Sequence, residues 1–176
     1  MNAVAMYLYK KKDKSLIFLC FFAVFYIYLV NVIKYTQFPL LLSSAYIPEH
    51  YIPDYINLIS FNHFGLQIMI LNIIMTTPFG FGLPFIKTVN WKKVITGVFL
   101  LSLILELTQL TFHFLLPFHD RLVDVNDIIA NVLGGIIGFL LFKGFIKFYS
   151  NILLKDKLEA NPILTYIHQV ALNHKN

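Results

Sequence analysis

Residues 15–33 read SLIFLCFFAVFYIYLVNVI, a run without a single charge. A helix rises about 1.5 Å per residue, so this run is long enough to cross the roughly 30 Å hydrocarbon core of a bilayer. Lys10, Lys11, Lys12 and Lys14 precede it, as they would in a secretory signal. The apolar run exceeds the about 7–15 residues of a signal core, and no small-x-small cleavage site follows, so it reads as an uncleaved span. The composition agrees. Of 176 residues, 58% are hydrophobic and 13% charged, with a mean hydropathy of +0.71; soluble domains run near 45–50% and about 25%. A disordered chain and an ordinary soluble enzyme are excluded. The one cysteine, Cys20, excludes a disulfide scaffold and a cysteine-based zinc site, and reads as a small apolar residue of the span.

Outward from this segment, three more apolar runs follow, at about residues 65–86, 94–118 and 125–142. The second is uncharged but holds Pro78 and Pro84, the third contains Glu106, and the fourth has Asp127 at its start. Residues 1–14 hold four lysines, residues 87–93 three and residues 143–176 five, which together make 12 of the 14 basic residues. The opposite side keeps only Lys34 and Arg121, beside Glu49, Asp54, Asp120, Asp124 and Asp127. The positive-inside rule then places both termini in the cytoplasm, and an even number of spans requires the two to match. The net charge of +5 is therefore a topology signal, and nucleic acid is not an expected partner. The fold class is an all-α integral membrane protein, a four-helix transmembrane bundle, over residues 1–150. Residues 34–64, with FPLLL and YINLISF, are too apolar for a solvated loop and read as an interfacial or re-entrant segment in the first outer loop. Residues 151–176 form a cytoplasmic tail in which LTYIHQVAL suggests a short amphipathic helix.

A lipid-facing helix gains nothing from polar side chains, so each intramembrane polar residue asks for a reason. Ser102, Glu106, Gln109 and His113 follow one another at spacings of 4, 3 and 4 and share one helical face. Asp124, Asp127, Asn131, Gly134, Gly135 and Gly138 share a face of the fourth span, and Asn72, Thr76 and Gly80 one of the second. Pointed inward, the three stripes make a pocket between the membrane midplane and the outer surface. Glu106 lies near the midplane, Asp124 and Asp127 near the outer interface, and Arg121 at the mouth.

Glu106 is the most informative residue, because an acid at the bilayer centre costs about 3 kcal/mol on insertion scales. Two readings stand. It holds helices together through a bond to Gln109 or Asn72, worth about 0.6–2 kcal/mol, or it serves as proton carrier, general acid/base or ligand contact. Arg121 is the chain's only arginine. It either pairs with Asp124 or Asp127, or its planar fork binds a phosphate or other anionic headgroup. Asp124 and Asp127 are also placed to cap the fourth helix. His113, His119, Asp120, Asp124 and Asp127 match no compact ligand motif, so neither a metal nor a cofactor is expected. His50 and His63 read as loop residues. Gly134, Gly135 and Gly138 permit close helix packing, and Gly134-x-x-x-Gly138 leaves a homo-oligomer open. Pro78 removes a backbone hydrogen bond and, beside Gly80, predicts a disturbed second helix with a kink toward the pocket.

The order of these elements resembles the VanZ family of small bacterial membrane proteins. Asn57-Leu58-Ile59-Ser60-Phe61 is similar to the family's Asn-Leu-Ile-Pro-Phe, with Ser60 in place of proline. Asn72 followed by Pro78-Phe79-Gly80-Phe81 resembles its second span, and Glu106-x-x-Gln109 its third. Arg121-x-x-Asp124-x-x-Asp127-x-x-x-Asn131-x-x-Gly134-Gly135-x-x-Gly138 resembles the signature that enters its last span. The match covers about residues 57–142. The resemblance implies a link to glycopeptide resistance, to teicoplanin rather than vancomycin for the founding member. It supplies no biochemical mechanism.

Three functions compete. The first is a non-enzymatic module of the bacterial plasma membrane, from an AT-rich Gram-positive source. It binds a membrane lipid or a lipid-linked wall precursor through Asn72, Glu106, Gln109, Arg121, Asp124, Asp127 and Asn131, and alters the access of an amphipathic antibiotic. The absence of a strong catalytic motif favours it. The second is an integral-membrane enzyme acting on a lipid-linked phosphate or glycan, with Glu106 or Asp127 as acid/base. The third is a small transporter or flippase subunit.

Overall fold

The computed structural model describes residues 15–38, 56–57, 65–115, 123–153 and 161–174. These form helices α1 (Leu16–Gln37), α2 (Leu66–Ile86), α3 (Trp91–Leu115), α4 (Val125–Leu153) and α5 (Pro162–Asn173), with two short strands, β1 (Ile56–Asn57) and β2 (Val123–Asp124). All the helices except α2 start on a side-chain acceptor, the usual way to satisfy free N–H groups of a first turn. Ser15 Oγ accepts from Phe18 N at 3.2 Å, Asn90 Oδ1 from Lys93 N at 3.0 Å, Asp124 Oδ1 from Asn126 N at 2.8 Å and Asn161 Oδ1 from Ile163 N at 2.9 Å.

Helices α1 to α4 are each long and apolar enough to cross a membrane. Their outward faces carry Val24, Ile27, Ile70, Ile74, Ile104, Leu107 and Leu140, all exposed. In water such a surface would drive aggregation, whereas lipid tails solvate it. The chain is a multi-pass membrane protein built as a four-helix bundle. Two boundaries differ from the sequence expectation. The first span continues past residue 33 to Gln37, and the last runs beyond Phe142 to Leu153. The reason is the same for both: a charge ends an apolar run without ending a hydrogen-bonded helix. Lys34, Lys143 and Lys147 are all exposed on helical turns, where long stems carry the charge away from the apolar core.

The closest packing lies between α2 and α4. A Cβ on Gly80 would stand 2.0 Å from Gly135 O, and one on Gly138 2.0 Å from Thr77 O, so only glycine allows the two backbones to approach. Gly134 abuts Thr76 in the same seam, while Gly135 also faces Val98 of α3. α2 continues as one helix through Pro78 and Pro84, and Pro78 is exposed. Side chains add bonds to carbonyls in the turns flanking Pro78: Thr77 Oγ1 donates to Ile73 O at 2.7 Å and Tyr28 OH to Met75 O at 2.8 Å.

The tail helix α5 docks under the bundle. Val170, Ala171 and His174 are buried. The Tyr166 hydroxyl donates to Phe85 O, and Tyr149 OH to Leu164 O at 2.7 Å. His174 Nε2 accepts from Val89 N at 3.2 Å, and Lys143 Nζ donates to His174 O at 2.6 Å. Phe21 of α1 stacks on Tyr166 with centroids 5.2 Å apart. The start of α1 and the tail therefore share one end of the bundle, the end where α2 turns into α3.

Candidate functional site

At the opposite end the bundle opens into a cavity of about 760 Å³. Asn72 and Met75 enter from α2, Leu105, Glu106 and Gln109 from α3, Asp124, Asp127 and Asn131 from β2 and α4, and Tyr35 and Thr36 from α1. Six of the seven residues singled out in the sequence as headgroup contacts thus share one space. The seventh, Arg121, lies outside the described residues, as does the His113 side chain. The packing glycines Gly80, Gly134, Gly135 and Gly138 do not line the cavity; they form the α2–α4 seam beside it.

The stripe on α3 faces inward along its length: Ser102, Glu106 and Gln109 are all buried. Each is fixed by a neighbouring element. Asn131 Nδ2 donates to Ser102 Oγ at 2.8 Å, and the Asn131 carbonyl accepts from Thr76 Oγ1 at 2.8 Å. Asn131 therefore ties α2, α3 and α4 together at the cavity floor. Gln109 Nε2 donates to Thr36 O on α1 at 3.1 Å. Gln37 Nε2 returns the link, donating to Leu105 O on α3 at 3.3 Å.

Asp124 is the hub of the acidic side. Its Oδ1 caps α4 through Asn126 N and accepts from Asn57 Nδ2 at 3.0 Å. Its backbone N–H donates to Glu106 Oε2 at 3.3 Å. The partner Asn57 belongs to β1, which pairs in parallel with β2 in the register Ile56 to Val123 and Asn57 to Asp124. The apolar first outer loop thus sends two residues back onto the bundle; the rest of its expected interfacial or re-entrant path lies outside the described residues. Non-helical backbone survives at this depth because it is buried in protein beside a polar cavity.

This contact sets Glu106 at the level of Asp124. α3 begins at Trp91 rather than at Val94. With 15 residues before Glu106 and nine after it in α3, Glu106 stands about 22 Å from one end and about 14 Å from the other. It lies about 4–5 Å from the midpoint of α3 toward the loop end, level with Asp124. Glu106, Asp124 and Asp127 lie within electrostatic reach of one another, with Asn72 beside Asp127. Among the described residues no lysine, arginine or histidine lines the cavity. Nor do any three His, Cys, Asp or Glu side chains sit where they could hold a metal ion together.

Asn57, Gln37, Tyr35 and Thr36 were not among the residues singled out as headgroup contacts. Asn57 had a signal, its place in the Asn-Leu-Ile stretch. Gln37 had none, because a glutamine beyond an apolar run looks like the start of a solvated loop.

Neither the curated proteins nor the solved structures contain a match to the chain. The family model described as VanZ/LLP1 matches residues 15–148. That range takes in all four spans, including α1, which the resemblance read from motifs did not reach. The chain belongs to the VanZ/LLP1 family of membrane proteins.

Proposed function

We propose that this protein binds a lipid, or a lipid-linked wall precursor, by its headgroup in the cavity around Glu106. Occupancy of that site lowers susceptibility to teicoplanin and lipoglycopeptide-type antibiotics. The family is linked to glycopeptide resistance, and the observation that carries the finer reading is the cavity itself. Polar side chains from all four membrane helices converge in about 760 Å³, while Ile68, Leu71 and Ile74 of α2 wall the same space. A space with polar groups inside and an apolar flank suits an amphiphile, whose headgroup and chain need different surroundings. The setting is the bacterial plasma membrane with both termini cytoplasmic, which turns the cavity toward the outer leaflet. Arg121, three residues before Asp124, would meet a phosphate at the mouth.

The test compares wild type, Glu106→Gln, Asp127→Asn and Arg121→Lys in a sensitised Gram-positive host. Teicoplanin susceptibility is read beside the lipids that co-purify with each protein. The reading expects lost protection and depleted bound lipid in Glu106→Gln and Asp127→Asn. Variants that keep both would remove it. A silent Arg121→Lys would end the role of a bidentate anion contact. Because Glu106 and Asp127 share the cavity, an enzyme acting on a lipid-linked phosphate or glycan is the second reading. A lipid or precursor species that appears with wild type and vanishes with Asp127→Asn would select it.

A further inference from the structure

We propose that the headgroup taken into this cavity carries an ammonium group, held by the carboxyls of the site and the buried oxygen of Asn131. This rests on the headgroup reading above and names the chemistry of its ligand.

The cavity is rich in acceptors and short of cations. Glu106, Asp124 and Asp127 face one another across it, and no described cation pairs with any of them. Lys34, on the last turn of α1, is exposed and lies over the Tyr35 ring at 5.6 Å. Like charges gathered in one site disfavour each other's ionisation, and a cation among them removes that cost. A second observation points the same way. Asn131 is 3% exposed, and its Oδ1 has no hydrogen-bond partner among the described residues although the residue lines the cavity, while the one orphaned donor there, Asn72 Nδ2, lies beside the Asp127 carboxyl. Leaving a buried acceptor unmade costs about 1–3 kcal/mol, which a donor from a ligand would recover. Glu106 is also under-used, accepting one long bond from Asp124 N at 3.3 Å.

The missing partner must therefore bring positive charge and several donors. An ammonium has three N–H donors and no acceptor. A phosphate has only acceptors and would be repelled by the same carboxyls. A bare divalent ion needs oxygens within about 2.0–2.6 Å, closer than these side chains converge, whereas an ammonium bonds acceptors at about 2.8 Å and spans a wider set. Exposed Ile68, Leu71 and Ile74 continue the cavity onto the lipid face of α2, which leaves the acyl chains of such a ligand in the bilayer.

The experiment uses the purified full chain in detergent, read by native mass spectrometry and thermal unfolding. The probes are dioleoyl phosphatidylethanolamine, dioleoyl phosphatidylglycerol, N-acetylated dioleoyl phosphatidylethanolamine, glycerophosphoethanolamine and calcium. Phosphatidylethanolamine should bind at least ten-fold tighter than phosphatidylglycerol or the N-acetylated lipid. Both Glu106→Gln and Asp127→Asn should erase the preference while keeping the lipid-free unfolding temperature near that of wild type. Should Glu106→Gln fail to fold, Asp127→Asn and the lipid series on wild type carry the test. Equal binding of the N-acetylated lipid or of phosphatidylglycerol overturns the ammonium while leaving the lipid reading intact. Calcium stabilisation equal to that by phosphatidylethanolamine also overturns it. Glycerophosphoethanolamine binding as tightly as the lipid supports the ammonium and assigns it to a soluble amine. No binding by any probe ends both readings.

Discussion

Asp124 is where one side chain holds the most structure at the site. It caps α4, receives the Asn57 amide and sets its own N–H against Glu106. Asp124→Ala removes an N-cap, worth about 0.5–2 kcal/mol, and the hydrogen bond that its carboxylate accepts from Asn57, worth about 1.5–3 kcal/mol for a charged acceptor. The expected loss is about 2–4 kcal/mol, read as a fall of several degrees in thermal unfolding in detergent. Asp124→Asn keeps an acceptor oxygen and should lose less than half as much. Equal losses in the two would mean that the charge, not the hydrogen-bond geometry, matters there. The acids were legible in the sequence because a polar residue in an apolar helix stands out, and spacings of 4 and 3 place Ser102, Glu106 and Gln109 on one face. Asn57 and Gln37 were not legible as site residues. Each lies where polarity is ordinary, and only tertiary contact brings them to Asp124 and Leu105.

At the scale of elements, the α2–α4 seam depends on the absence of side chains. Even one methyl at Gly138 would meet Thr77 O and Phe81 N, so Gly138→Ala must push two backbones apart. Overpacking of this kind costs about 1–3 kcal/mol. Gly144 lies on the same helix with nothing within 4 Å of where a Cβ would stand, and Gly144→Ala should gain up to about 1 kcal/mol from helix propensity. Thermal unfolding of the two variants side by side checks the contrast; a Gly138→Ala protein as stable as Gly144→Ala would show that the seam tolerates separation. The small-residue face and the inward-facing stripe of the second span were both legible in the sequence, and in the fold α2 packs on that face; what spacing alone does not give is the pairing of Gly80 with Gly135 and of Gly138 with Thr77. The helices run past the apolar stretches because hydropathy reports where lipid stops and hydrogen bonding decides where a helix stops.

In the whole molecule, charge is sorted between two ends. Glu106, Asp124 and Asp127 stand at the cavity end, while Lys87, Lys92, Lys93, Lys143 and Lys147 lie on the α2–α3 turn, the start of α3 and the lower part of α4. The Phe21–Tyr166 stack puts the start of α1 and the tail helix at the lysine-bearing end as well. Translocation disfavours lysine-rich ends, so the whole bundle should insert with that end in the cytoplasm. Green fluorescent protein fused at either terminus should then fluoresce, and alkaline phosphatase fused at either terminus should be inactive. This result matters beyond topology. The cavity is at the far end from the start of α1 and from the tail helix, so an orientation that keeps the tail inside would open the Glu106 site to the outer leaflet, where an externally added amphipathic antibiotic arrives. Active phosphatase at both termini would turn the cavity toward the inner leaflet. Direct competition with such an antibiotic would then be impossible on geometry alone, whatever the cavity binds.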